Sequence, residues 1–382
     1  MAHPIFPSIK DNEHSLRKRT KGQRFHINGP DQIRPSNFAD ALKNIYFKEA
    51  LVDFIIDDWA NDYMAPFIGS KTILVNYLQC YQYKVCKGKV QRTPELSLAC
   101  PGHEEADTKI VFHVCHLTSD AHVTIRCSDT DILIIMLANM NSIQTDLQIS
   151  MHVGTGNNQK FINVTKLSQS LGLDLCSALS AFHAMTGCDF NSAFYRKGKR
   201  KPFQILRKSP TYIKALCDIS NLPNCNLDQL FATLEEYVCR LYAFTRVNDI
   251  NVARVMTFTK SYGNNDDCNP LNLQKRIDGS LFPPCKAELQ QHFLRTAYIA
   301  HLWSHAHRAM PTDLLPTEYG WEESEEKYYF KWFTGDQLPL SITSITNLDM
   351  NPHEDDETEN DGVCDISIDN CDDDSDAKED YS

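Results

Sequence analysis

Residues 123–139 read Val123-Thr-Ile-Arg-Cys127-Ser-Asp129-Thr-Asp131-Ile-Leu-Ile-Ile-Met136-Leu-Ala-Asn139, and this stretch decides the fold class. Val123 to Cys127 is a short strand. Ser128 or Asp129 caps a helix running through Ile132 to Asn139. A second strand follows at Leu147–Val153, then a turn at Gly154-Thr-Gly156, then helices from Val164 and from Asp174 to Met185. The order strand, helix, strand, helix is the mark of an α/β layer fold with a mainly parallel sheet. In such sheets sites gather beyond the carboxyl ends of the strands. Asp129 and Asp131 lie at that location.

Two further acidic groups flank this one. Glu104, Glu105 and Asp107 precede Ile110-Val-Phe112, and Asp189 follows the apolar run Ala178–Met185 within Thr186-Gly-Cys-Asp189. Carboxylates beside apolar sequence are costly unless their charge is compensated. If the three groups meet in space, a hard divalent cation is the simplest compensation. Each also has a local reading. Glu104, Glu105 and Asp107 fit the first turn of a helix opened by Gly102-His103, Asp129 fits an N-cap, and Asp189 fits a helix end. His113-Val-Cys115-His116 offers zinc-type ligands, but no second pair stands at zinc-finger spacing. The competing reading puts these residues on one helix.

The formal net charge of −12 is local. Residues 349–382 hold 15 of the 50 acidic residues and one of the 38 basic ones, which leaves the remainder at +2. This tail, about 345–382, is expected to be disordered. Two basic concentrations stand in the body: Arg17-Lys18-Arg19 with Lys21 and Arg24, and Arg196-Lys197-Gly-Lys199-Arg200-Lys201. Both suit phosphate-backbone contacts; the plainer alternative is solvated surface. No run approaches the roughly 20 apolar residues of a membrane span. The N-terminus lacks a signal pattern, and the 14 scattered cysteines read as free thiols. The expectation is an intracellular protein, in nucleus or cytoplasm, that does not engage a membrane.

Along the chain, 1–35 is a basic N-terminal segment. Helical patterns follow at Ala41–Phe47 and Glu49–Trp59, then β-like runs at Thr72–Tyr77, Tyr81–Val85 and Lys89–Arg92. Beyond Ser192 the reading is helical: Pro202–Leu206, Pro210–Ile219, Leu227–Phe244 and Lys286–Arg308, with loops at Asn264–Pro270 and Phe282–Cys285. The expected organisation is an α/β domain over 36–206, a helical extension over 207–325, and the acidic tail.

The order Glu105-Ala-Asp107, Asp129-Thr-Asp131, Gly187-Cys-Asp189 resembles the acidic constellation of PIN-like nucleases, in the flap endonuclease and XPG branch. It also resembles uncharacterised animal proteins that share the Asp-Thr-Asp and Thr-Gly-Cys-Asp motifs. Gly198-Lys-Arg-Lys201 before Phe203-Gln-Ile-Leu206 resembles a reduced form of that branch's DNA-gripping turn. Pro7–Arg19 resembles the basic segment that follows its first strand. The resemblance covers roughly 7–206. It implies a PIN-like three-layer fold and a two-metal site for Mg²⁺ or Mn²⁺ held by Glu105, Asp107, Asp129, Asp131 and Asp189. It further implies contacts to DNA or RNA by Arg17, Lys18, Arg19, Lys197, Lys199, Arg200 and Lys201. The branch's first two acidic positions, and their strands, have no counterpart here. Asp53, Asp57 and Asp58 sit on a helical pattern and substitute for them poorly. The domain is therefore expected to be N-terminally incomplete, either in the protein or in the gene model.

The functional expectation is divalent-metal-dependent phosphodiester hydrolysis, in which two ions about 4 Å apart activate water and stabilise the leaving oxygen. The alternative is a catalytically inactive nucleic-acid-binding or protein-interaction module.

Overall fold

A computed structural model describes residues 25–262, 279–324 and 327–335. The chain divides into two units between Gln337 and Leu338, and every described residue lies in the first. Arg17, Lys18 and Arg19, the Asn264–Pro270 loop and the acidic tail fall outside the described residues.

The described chain opens with three helices, α1 (Phe38–Ala41), α2 (Ile45–Asp58) and α3 (Ala65–Ile68). Asn44 caps α2 by accepting from the amides of Tyr46 and Phe47. An antiparallel meander follows, β1 (Ile73–Asn76), β2 (Cys80–Cys86) and β3 (Lys89–Pro94). Lys87 and Gly88 turn β2 into β3 with φ of 52° and 78°. A two-residue hairpin of matching twist uses positive φ at both positions.

Next come α4 (Ala106–Cys115), β4 (Ala121–Arg126), α5 (Thr130–Ala138), β5 (Leu147–Val153) and β6 (Lys160–Asn163). β4 and β5 pair in parallel, as a strand–helix–strand unit requires. β6 returns antiparallel onto β5 through the Gly154–Gln159 turn. The protein is thus mixed α/β, but the expected mainly parallel sheet is absent among the described residues. The β4–β5 pair is the parallel one, and β1–β3 form a sheet of their own. The reason lies in turn length. The short connections at 77–79, 87–88 and 154–159 cannot carry a crossover, so they reverse the chain.

The remainder is helical: α6 (Val164–Leu171), α7 (Leu173–Thr186), α8 (Arg200–Arg207), α9 (Pro210–Asp218), α10 (Leu227–Leu241), α11 (Ile250–Tyr262) and α12 (Lys286–Ser304), closed by a hairpin of β7 (Trp321–Ser324) and β8 (Lys327–Phe330). α7 is the hub. Eleven of its 14 residues are buried, and it packs against α5, α9 and α12. Ala178, Ser180, Ala181 and Ala184 are small enough to let those helices approach. The expected boundary at 206/207 is not a seam. Leu206, Leu216, Leu234 and Phe293 share one core with Ile135, Ile149 and Met185. Asn139 ties α5 to α12: its amide nitrogen donates to the carbonyls of Ile135 and Trp303 at 2.8 Å, and its oxygen accepts from His307 at 2.9 Å.

Candidate metal centre

The site forms where the amino ends of α4 and α5 meet the carboxyl end of α7. β4 ends at Arg126, and three residues later Asp129 caps α5, its Oδ1 accepting the Asp131 amide at 3.1 Å. The cap holds the Asp129 side chain beyond the carboxyl end of β4 and sets Asp131 in the first helical turn. α4 begins at Ala106, not at Gly102. Glu105 occupies its N-cap position without capping it, Asp107 lies in its first turn, and Glu104 precedes it.

Asp107, Asp129 and Asp131 converge, each with a carboxylate oxygen within 4.8 Å of the others. That compass matches ligands around one hard divalent ion, whose metal–oxygen distances run from about 2.0 Å for Mg²⁺ to about 2.6 Å for Ca²⁺. Among the described residues this is the one such group of three or more Asp, Glu, His or Cys. The His113, Cys115 and His116 side chains do not join a metal cluster. The Asn76 amide donates to His113 Nε2 at 2.8 Å, and His116 Nδ1–H donates to the Phe112 carbonyl at 2.8 Å. The α2 acids are elsewhere as well, with Asp57 paired to Arg92 at 2.8 Å.

Glu105 stands in the field of the same group. Burial, then the charges of Asp107, Glu104, Asp189 and Asp131, push its carboxyl up to about 8. Asp189, exposed on the turn after α7, therefore reaches this field although it is outside the convergent trio. Burial is the larger cause of this rise at Glu105, and the four neighbouring carboxylates add to it, so negative charge is concentrated here. The all-oxygen donor set fits a hard cation, which would relieve that excess.

Because Glu105 holds its proton in the folded state, its contribution to stability is lost as pH rises from about 4.5 toward about 8. Glu105→Gln should therefore be more stable than the parent in metal-free buffer at pH 8, by on the order of a few kcal/mol. The gain should vanish at pH 4. Urea unfolding at the two pH values measures this, and an equal difference at both would refute it.

Two residues that the sequence reading did not assign to the site complete it. His183 of α7 donates from Nε2 to Asp131 Oδ1 at 3.0 Å, with side chains 7% and 14% exposed. The imidazole fixes the orientation of that carboxylate. The available signal was a histidine inside an otherwise apolar helix, six residues before Asp189. The other is Lys199, which was expected to contact nucleic acid. Its ammonium turns inward and donates to the carbonyls of His183 and Gly187 and to the Thr186 hydroxyl. These groups end α7, so Lys199 serves as its C-terminal cap. Burial pushes its pKa down.

The rest of the basic segment divides. Lys197 lies over the Tyr242 ring at 4.5 Å and Arg196 over Tyr195 at 5.2 Å, while Arg200 and Lys201 are exposed at the start of α8. Lys199→Met should lower stability by about 1–3 kcal/mol, because buried carbonyls lose their donor. Lys201→Ala should leave stability unchanged and reduce the salt slope of nucleic-acid binding by about one. Denaturant titration and salt-dependent filter binding separate the two; the reverse pattern would contradict the assignment.

No protein family, curated protein or solved structure matches this chain. Among the described residues no helix is long and apolar enough to cross a membrane.

Proposed function

We propose that this protein is a PIN-like, flap-endonuclease-related domain that hydrolyses phosphodiester bonds of DNA or RNA with Mg²⁺ or Mn²⁺. The observation that carries the reading is the convergence of Asp107, Asp129 and Asp131 beyond the carboxyl end of β4, with the crowded Glu105 beside them. A divalent ion bound there supplies Lewis acidity at the scissile phosphate and lowers the pKa of water.

The chain's own residues do the rest. Asp107, Asp129 and Asp131 hold the cation. His183 keeps the Asp131 carboxylate aimed at it. Arg200 and Lys201 present positive charge for the phosphate backbone, and Arg17, Lys18 and Arg19 extend that role in the same reading. The described cysteines are all free thiols, which supports an intracellular, reducing location in nucleus or cytoplasm. Glu105 and Asp189 stand outside the convergent trio. That favours a second reading, in which the site holds a single ion and the protein binds nucleic acid without cutting it.

Labelled single-stranded and flapped DNA and RNA, incubated with the full chain and Mn²⁺, test both readings. Cleavage that needs Mn²⁺ and disappears in Asp131→Asn supports the nuclease. Binding without cleavage supports the module. Neither binding nor cleavage of any substrate rejects both.

A further inference from the structure

A sheet ends in strands whose outer amides and carbonyls have no strand partner, and folded proteins guard such edges with charge, proline or cover. Among the described residues the edge strands are β1, β3, β4, β6, β7 and β8. Five of them carry charge: Lys89 in β3, Arg126 in β4, Lys160 in β6, Glu322 in β7 and Lys327 in β8. β3 is guarded further. Pro94 has no amide to offer, and the Val90 amide already donates to Asp62 Oδ1 at 3.0 Å. β1 is the exception. It reads Ile73-Leu-Val-Asn76, without charge, proline or glycine, and two of its residues are β-branched. Among the described residues its one strand partner is β2.

Apolar side chains stand exposed before and after this strand. Phe67 on α3 is 71% exposed and Leu78, just past β1, is 77% exposed, with Leu74 at 38% on the strand itself. The two ends of β1 differ in charge. Lys71 is exposed two residues before it. Glu49 and Asp53, one turn apart on α2 and both exposed, lie within electrostatic reach of Tyr77, which follows β1; burial first, and then these two carboxylates, raise the Tyr77 phenol. Among the described residues none of the three charges makes an ion pair. A strand with a positive approach and a negative exit is complementary to an antiparallel copy of itself.

We propose that β1 pairs antiparallel with β1 of a second copy of this chain about a two-fold axis, joining two three-stranded sheets into one of six strands. Such an isologous contact uses one patch twice. With the axis at Leu74 or Val75, Lys71 stands opposite Tyr77 or Gln79 of the second copy, at the end where that copy holds Glu49 and Asp53. A parallel pairing would instead set like charges together. The same two-fold carries the exposed Leu78 of each copy to the α3 end of the other, where Phe67 is exposed. A four-residue strand needs that added apolar contact. Assembly stops at two, because the outer edge left after pairing is the guarded β3. The inference is independent of the metal centre and of nucleic acid.

An interface of this small class associates weakly, with a dissociation constant of about 1–100 µM. Sedimentation equilibrium of the full chain in EDTA across that range should show the mass rising from 43.6 kDa toward twice that value. Leu74→Lys adds a lysine to the edge of both copies and should weaken association by about tenfold or more. Lys71→Glu should weaken it severalfold at low salt, and so should Glu49→Lys/Asp53→Lys. Mixing those last two variants should restore association, because each copy then presents the charge that the other lacks. Asp129→Asn/Asp131→Asn should associate as the parent does. Circular dichroism checks that every variant is folded, and the rescue on mixing requires it of both partners. A monomeric mass at every concentration, a mass growing past the dimer, parental association in both Leu74→Lys and Lys71→Glu, or no rescue on mixing would each overturn the proposal.

Discussion

Asp129→Asn/Asp131→Asn should bind Mn²⁺ about a hundredfold more weakly than the parent, or worse. Even loss of an outer-shell partner typically costs 10–100-fold, and here two of the three convergent ligands lose their charge. The variant should still fold. Asparagine caps a helix about as well as aspartate, so α5 keeps its start. The side-chain carbonyl that replaces the Asp131 carboxylate still offers His183 an acceptor. Fewer negative charges would surround Glu105, so metal-free stability should hold or rise.

Calorimetry gives a second readout on the parent protein. At pH 7 Glu105 is mostly protonated, since its carboxyl sits at about 8. A cation bound nearby favours the carboxylate and expels that proton. The observed binding enthalpy should therefore depend on the ionisation enthalpy of the buffer. That dependence should disappear in Glu105→Gln. Equal Mn²⁺ affinity in parent and double variant would show that the metal, if any, sits elsewhere. A buffer-independent enthalpy in the parent would show that Glu105 does not sense it.

Gly187→Ala should cost about 3 kcal/mol or more. Gly187 ends α7 at φ +112°, a conformation that residues with a Cβ rarely adopt. A Cβ built there would stand 2.6 Å from the Ala193 Cβ, 2.8 Å from its Cα and 3.1 Å from its amide nitrogen. Two of those atoms are backbone. They belong to the segment just after the Cys188–Asn191 turn, and Asn191 is held by Ala184, His292 and Arg295. The neighbour cannot yield without dragging the turn that carries Asp189 with it. Strain and overpacking of this kind typically cost 1–3 kcal/mol each. Gly198→Ala is the control. Nothing lies within 4 Å of the Cβ it would add, and its φ is not in the positive range. It should change stability by less than about 1 kcal/mol. Urea unfolding of the two variants decides the matter. Equal stability would mean that the turn after α7 is looser than its hydrogen bonds indicate.

The sequence carried what is local. The switch from strand to helix at Asp129 was legible because a cap needs only a short polar side chain and the amide two residues on. The β4–α5–β5 unit followed from the same stretch. The runs on either side of Lys87-Gly88 were readable as strands, and they pair as β2 and β3. Of the five acids that stood out, Glu105, Asp107, Asp129, Asp131 and Asp189, three converge, and Glu105 and Asp189 lie outside that trio.

Tertiary structure decided what depends on distant partners. The start of α4 moved past Glu104 and Glu105. Packing placed Glu105 among other carboxylates, where its side chain does not serve as a cap. His183 gained its role from an aspartate 52 residues earlier, a pairing that no spacing encodes. Lys199 lies in a basic run that reads as surface, yet its position 12 residues beyond Gly187 folds its ammonium onto the end of α7. The 206/207 boundary vanished because α7 needed α9 and α12 to bury a helix apolar on nearly every side. Caps and turns are satisfied within a few residues, so composition and order reveal them. Burial, charge crowding and helix partners are set by which surfaces meet, and that is fixed only when the whole chain has packed.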